Sequence, residues 1–346
     1  MRVLITGHKG YIGAVMVPML IEKGHEVVGV DSDIFEECAF NDSLVEIPEL
    51  HKDIRDIEPQ ELAGFEAVIH LAALSNDPIG NLNPALTYEI NHQASVRLAR
   101  LAKQAGCSRF IFSSSCSTYG AAGNDMLTEE AVFNPVTPYG HSKVLVEQDV
   151  SKLADDKFSP TFLRNATAYG ISPRLRFDIV LNNLAAYAYT SGLVYMKSDG
   201  SPWRPIVHIE DISRAFIAVL DAPREVVHNQ AFNVGQNGEN YRIRELAEIV
   251  QEVVPGCRIE YAADAGPDKR TYQVDFGKIQ RTLPNFKPQW NARKGAQELY
   301  EAFRKVDLKQ AEFEGPRFKR IEHIKELMRS GQLGTDLRWS EEKVLS

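Results

Sequence analysis

Apolar residues recur in two rhythms along the first half of the chain. Arg2 to Thr6 is a short apolar run, and from Tyr11 to Lys23 the residues Ile12, Val15, Met16, Met19, Leu20 and Ile21 fall on one helical face. His25 to Val30 is again strand-like, Ala67 to Leu71 and Arg109 to Ser113 are buried-strand runs, and Leu86 to Ala105 and Ser142 to Leu153 have helical spacing. Strands alternating with helices predict an α/β fold, a doubly wound parallel sheet covered on both faces, with ligands at the carboxyl ends of its strands. Past Gly170 the rhythm loosens into turns such as Asp199-Gly200-Ser201-Pro202, Gly235-Gln236-Asn237-Gly238 and Ala265-Gly266-Pro267. A smaller, loop-rich lobe is expected there.

The turn between the first strand and helix is Gly7-His8-Lys9-Gly10-Tyr11-Ile12-Gly13. Glycines at such a turn let the backbone approach a pyrophosphate, whose charge then meets the unpaired N–H groups of the helix start. The spacing is G-x-x-G-x-x-G, and alone it also fits a helix start with no ligand. The second strand adds Asp31, 18 residues after Gly13. A carboxylate there accepts hydrogen bonds from the adenosine ribose and repels a 2′-phosphate, which favours NAD over NADP. Lys9 argues the other way, because an ammonium inside the turn could reach that phosphate.

Tyr139 and Lys143 stand four residues apart, one turn of a helix. An ammonium beside a phenol favours the phenolate and brings a pKa of about 10 towards the range of a general base. Without the glycine turn, this spacing is more often a surface pair. Ser113-Ser114-Ser115-Cys116-Ser117-Thr118-Tyr119-Gly120 follows an apolar strand, so its hydroxyls should reach the sheet edge where a cofactor lies.

With 346 residues and 44% apolar content, the chain can bury a full core. A net charge of −8 offers no general attraction for nucleic acid or membrane. No apolar stretch is long enough to span a bilayer, and the first residues enter a strand directly, so neither a signal peptide nor a spanning helix is expected. Cys38, Cys107, Cys116 and Cys257 lack metal or redox spacing, as expected of free thiols in a cytoplasmic protein.

These motifs, in this order, resemble the extended short-chain dehydrogenase/reductases of the nucleotide-sugar epimerase and dehydratase group. The similarity runs to about residue 285. It takes in Asp53-Ile54-Arg55-Asp56, His70-Leu71-Ala72-Ala73, Asn91, Leu163-Arg164-Asn165-Ala166-Thr167-Ala168-Tyr169-Gly170, Arg204 before Ile206-Val207-His208-Ile209-Glu210-Asp211, and Arg270 before Tyr272 and Asp275. It implies a Rossmann-type sheet in a dinucleotide-binding domain at 1–170, with 206–235 returning to it. A substrate-binding α/β lobe would be formed by 171–205 and 236–310, followed by an extension at 311–346 of no assigned role.

Carried over residue by residue, the resemblance implies Ser115, Tyr139 and Lys143 as catalytic groups. Gly7, Gly10, Tyr11, Ile12, Gly13, Asp31, Asp53, Ile54, Leu71, Ala72, Ala73, Asn91 and Ser113 would bind NAD, together with Tyr139 and Lys143. Ser75, Ser115, Thr167, Asn183, Arg204 and Arg270 would face a nucleotide-sugar, the two arginines clamping its diphosphate. No metal is implied, and family members pair as homodimers through a four-helix bundle, which here would use the helix around Leu86 to Ala105 and the one beginning near Ser142.

Departures from the family pattern narrow the chemistry. Where 4,6-dehydratases carry an Asp-Glu pair this chain has Cys116-Ser117, and where decarboxylases carry a Glu it has Ser117. Thr167 replaces a common Asn and Pro205 a common Asp. Cys116 and His208 read as packed bystanders. Three functions stay open: a redox-neutral C4 epimerase, a 4-ketoreductase of a 4-keto-6-deoxy nucleotide-sugar, and a non-catalytic cofactor-binding protein. The first fits the motif set best.

Overall fold

The computed structural model describes residues 1–41, 43–75, 77–120, 125–266 and 271–340. Seven strands form the central sheet in the order Gln230–Val234, Ser159–Asn165, Arg109–Ser115, Ala67–His70, Arg2–Thr6, Glu26–Asp31 and Glu49–His51. Every neighbouring pair is parallel. The chain starts in the middle, builds to one edge, then crosses back to build towards the other. The strand order therefore reverses between Arg2–Thr6 and Ala67–His70, which opens a crevice at their carboxyl ends.

Period-two alternation divides the strand side chains between two helical layers. Val3, Ile5, Ile69 and Ile111 pack with Met16, Val17 and Leu20 of helix Gly13–Glu22 and with Ile212, Phe216 and Leu220 of helix Ile209–Asp221. Leu4, Val68, Phe110 and Phe112 face Val96, Leu98 and Ala102 on one helix and Val146 and Val150 on another. Both faces are covered, which is why these strands read as continuous apolar runs.

Three element boundaries differ from the sequence expectation. The helix carrying Tyr139 begins at Pro138, not Ser142, because Thr137 caps it by accepting the Gly140 N–H and Pro138 fits the first turn. The long helix is interrupted: Pro84–Tyr88 leads into a π-helical turn at Glu89–Ala94 before Ser95–Gln104. The strand Arg109–Ser115 runs two residues further than its apolar part, since its backbone stays paired with Ser159–Asn165.

The second lobe is built on helices Val180–Ser191, Ile243–Val253 and Ala292–Val306, packed on the paired strands Leu193–Ser198 and Arg258–Gly266. The strand Trp203–His208 lies outside the central sheet, paired with Asn240–Arg242 and Thr167–Tyr169. From its end the chain rejoins the first lobe through helix Ile209–Asp221 and strand Gln230–Val234. Residues 311–340 pack against both lobes. Phe313 and Phe318 join the second, while Ile324, Leu327, Leu333 and Leu337 bury against Ile34, Ile54, Leu74 and Ile90 of the first. Among the described residues, no helix is long and apolar enough to cross a membrane.

Candidate active site

A cleft of about 1140 Å³ lies along the carboxyl edge of the sheet, between the two lobes. Its floor at one end is the glycine turn. Gly7 has φ of 73°, and a Cβ there would sit 2.9 Å from the backbone nitrogen of Ala72. A Cβ at Gly13 would lie 2.3 Å from the Gly7 carbonyl oxygen. The turn is thus closed too tightly for any side chain, which leaves backbone facing the cleft.

Asp31 ends its strand at this edge and accepts the N–H groups of Lys9 and Asp33, both at 3.1 Å. Burial pushes its carboxyl above the usual range, against the pull of His8 and those two N–H groups. The Lys9 ammonium points elsewhere: it is held by Asp33 at 3.0 Å and Glu49 at 2.8 Å. Burial lowers its pKa, but hydrogen bonds to Glu49 and Asp33 outweigh this and leave it raised. Its charge is therefore already spent on two carboxylates, which removes the sequence argument for a 2′-phosphate. Asp53, on the same side, accepts three hydrogen bonds from Arg55.

The next strand end is organised by a buried histidine. Thr6 Oγ1 accepts the Ala72 N–H at 3.3 Å and donates to His70 Nδ1 at 2.6 Å. Ser95 Oγ donates to the Asn91 carbonyl and so accepts from His70 Nε2 at 2.7 Å. Burial, helped by the Lys143 charge, pushes the ring down to about 3, so it stays neutral. This chain of bonds fixes Leu71, Ala72 and Ala73, which line the cleft.

At the other end, Lys143 and Tyr139 share a helix face as their spacing predicted. The ammonium is 5.6 Å from the Tyr139 ring centre and 4.5 Å from that of Phe112, and it donates to the Ser113 carbonyl at 2.7 Å. Lys143 is almost fully buried, and burial lowers its pKa to about 7 against the opposing attraction of Glu147. Ser115 lies at the strand end, its Oγ accepting the Ser117 N–H at 3.1 Å. Behind them Glu147 accepts from Arg164 and, at 2.5 Å, from Ser114 Oγ. That ion pair ties the Tyr139 helix to the strand Ser159–Asn165.

The cleft lining brings together Gly7, Gly10, Tyr11, Ile12, Gly13, Asp31, Asp53, Ile54, Leu71, Ala72, Ala73, Ser75, Ser113, Ser115, Tyr139, Lys143, Thr167, Asn183 and Arg204. The hydroxyl of Tyr11 is turned away into the protein, donating to the Gly170 carbonyl at 2.7 Å. Asn91 does not line the cleft. Its amide is consumed by both backbone groups of Leu74 and by Ser142 Oγ, so it joins the Ala67–His70 strand end to the Tyr139 helix. Arg270 lies outside the described residues. Arg204 stands 5.7 Å from the Tyr272 ring centre. Cys116 is fully buried and donates to the Arg164 carbonyl, with its thiol pushed up by burial. His208 stacks on Trp290 at 3.9 Å and contacts Glu298 at 3.0 Å, a packed histidine as expected.

Sequence reasoning missed Arg176, Asp178 and Arg320, which also line the cleft. Arg176 holds Asp178 through two bonds of 2.9 Å and reaches Ser75 Oγ at 3.3 Å. Its one local signal is the apolar company of Leu175 and Phe177 around a charged residue. Arg320 comes from the extension, where its charged neighbours gave no sign of burial.

Residues 3–235 match the NAD dependent epimerase/dehydratase family. The UDP-glucose 4-epimerase of Bacillus subtilis is 27% identical over 327 residues, covering 86% of this chain and 94% of the relative. UDP-glucuronic acid decarboxylase 1 of Arabidopsis thaliana is 25% identical over 331 residues, covering 91% of this chain and 72% of that protein. Among solved structures, UDP-glucose 4-epimerase of Thermotoga maritima with UDP-glucose superposes with a TM-score of 0.77 at 25% identity, covering 89% of this chain and all of the other. The family is NAD-dependent, and NAD is this chain's cofactor. The chain belongs to the NAD-dependent epimerase/dehydratase family and is an enzyme of that family.

Proposed function

We propose that this enzyme is a nucleotide-sugar 4-epimerase working through a transient 4-keto sugar. One observation carries the reading. Among the described residues, the cleft lining holds three carboxylates, Asp31, Asp53 and Asp178, and each is engaged. Asp31 and Asp53 bind backbone and Arg55 at the ribose end, and Asp178 is forked by Arg176. Elimination of water from a sugar needs an acid and a base beside the ring. Cys116 and Ser117 stand where dehydratases of the family carry those groups. Tyr139, Lys143 and Ser115 alone serve one chemistry, the reversible oxidation of an alcohol.

In that chemistry Tyr139 takes the proton of the sugar C4 hydroxyl, and the Lys143 ammonium favours the phenolate form. NAD held along the glycine turn Gly7–Gly13 and by Asp31 would supply a reversible hydride acceptor for C4. Ser115 donates a hydrogen bond to the oxygen as it becomes a carbonyl, and Tyr139 returns the proton once the sugar has turned its other face. Arg204, Thr167, Asn183 and Ser75 line the part of the cleft assigned to the nucleotide-sugar, with the guanidinium suited to its diphosphate.

The test is incubation of the purified enzyme with a panel of nucleotide-sugars and excess NAD. The expected result is interconversion of one C4 pair with no net change in NADH. Tyr139→Phe should keep NAD binding and lose about a hundredfold to ten-thousandfold in rate. Stoichiometric consumption of NADPH on a 4-keto-6-deoxy nucleotide-sugar would replace epimerisation with ketoreduction.

A further inference from the structure

The segment 311–340 grips the loop that comes after Asp31. Arg317 donates to the Ala39 carbonyl, His323 Nε2 to the Ile34 carbonyl at 2.9 Å, and Trp339 Nε1 to the Ser32 carbonyl at 2.6 Å. Arg338 pairs with Asp56, and Leu327, Leu333 and Leu337 are buried against Ile34 and Ile54. Two residues of this segment, Arg320 and Leu337, line the cofactor cleft.

Arg320 is 9% exposed, and its Nη2 is buried without a hydrogen-bond partner. Its guanidinium lies 4.6 Å from the ring centre of Phe35, which lines the same cleft. Burial lowers its pKa to about 10, and Arg176 adds to this by repulsion, against weaker attraction from Asp178, Cys38 and Asp31. Other cations of the lining have partners: Arg176 and Lys52 are ion-paired with Asp178 and Glu61, while Lys143 and Arg204 donate to the Ser113 and Trp203 carbonyls. A buried guanidinium short of a partner is costly and selects an anion. It lies within electrostatic reach of Asp31, Arg176 and Asp178, all of which line the same cleft. Between its adenosine ribose and its nicotinamide, NAD carries its negative charge on the pyrophosphate.

We propose that residues 311–340 form a strap across the cofactor cleft and that Arg320 supplies a cation to the pyrophosphate of bound NAD, opposite the glycine turn. The inference rests on the cofactor and is independent of which sugar reaction the enzyme performs. Release of NAD then requires the strap to part from the Ser32–Ala39 loop, so the cofactor stays bound through successive turnovers.

Binding measurements test this without reference to activity. NAD, ADP and adenosine are titrated calorimetrically into the full chain freed of cofactor, and NAD dissociation from the holoenzyme is timed. Arg320→Leu is expected to weaken NAD and ADP about tenfold to a hundredfold, the worth of a charge-assisted bond, while adenosine is unchanged. Arg320→Lys should recover part of the loss, and Arg320→Gln gives the same comparison should the leucine variant not fold. Arg338→Ala, which loosens the strap, should speed NAD dissociation. Parental affinity for NAD and ADP in Arg320→Leu and Arg320→Gln would overturn the proposal. Equal weakening of adenosine and ADP would do so too, since that marks a role in packing alone.

Discussion

Lys143 is the residue where folding and chemistry pull hardest against each other. Its ammonium donates to the Ser113 carbonyl at 2.7 Å and lies against two aromatic rings, with no carboxylate among the described residues paired to it. Burial therefore brings its pKa down to about 7, although the Tyr139 phenolate is favoured only while Lys143 is charged. The consequence for stability has a definite sign. Between pH 7 and the ordinary lysine range near 10.5 the unfolded chain binds a proton that the folded chain has lost, so stability rises with pH across that window. Below about pH 7 both states hold the proton and the penalty for burying the charge is present in full. In the chain freed of NAD, unfolding free energies from urea titrations at pH 6, 8 and 10 should rise for the parent relative to Lys143→Met, by up to about 1.4 kcal/mol per pH unit within the window. A difference that stays constant with pH would show that Lys143 is not the buried cation described. In activity, the same variant should move the rising limb of the kcat profile to higher pH, since Tyr139 loses its neighbouring charge.

At the level of elements, what was legible in the sequence is what local pattern determines. The apolar runs marked the inner strands because both sheet faces are buried, and the glycine turn and Asp31 lie next to strand ends that those runs fixed. The Tyr139–Lys143 face came from helical spacing alone. The start of that helix was also readable, since Thr137-Pro138 is a cap followed by a first-turn proline, but apolar periodicity points only to Ser142 onward. The π-helical turn at Glu89–Ala94 has no local signature; it puts Asn91 where its amide can join Leu74 to Ser142, which long-range contacts decide. Arg320 was illegible for the same reason, its burial depending on segments far away in the chain, and Arg176 had only its apolar neighbours Leu175 and Phe177 as a sign. The Arg164–Glu147 pair shows how such contacts hold an element in place. Both side chains are 6% exposed and bonded at 2.7 Å, with Tyr119 and Ser114 completing the set. Glu147→Leu should cost about 3–5 kcal/mol, because it strands a buried guanidinium, and a double change with Arg164→Met should recover much of that loss. Urea unfolding of the three variants measures this. A double variant less stable than the sum of the singles would reject the pair as the cause.

For the whole molecule, two helices on one face of the central sheet carry exposed side chains. Helices Ser95–Gln104 and Pro138–Ser151 pack side by side on the sheet through Val96, Leu98, Val146 and Val150. His92 Nε2, in the turn Glu89–Ala94, meets Asp149 of the second helix at 2.8 Å. Gln93 and Arg100 on one side, and His141 and Gln148 on the other, are exposed, with Leu145 half-buried beside them. We propose that two copies of the chain meet here and form a four-helix bundle, the arrangement that the family resemblance implies. The same helix carries Tyr139 and Lys143 on its inner face, so pairing would stiffen the element that holds the acid/base group. Light scattering at micromolar concentration should give twice the mass of one chain. Leu145→Arg places a charge in the middle of the proposed bundle and should give the mass of a single chain, with NAD still bound because the cofactor cleft is on the far side of that helix. A single-chain mass for the parent would overturn the dimer. A dimer unaffected by Leu145→Arg would move the contact to another face.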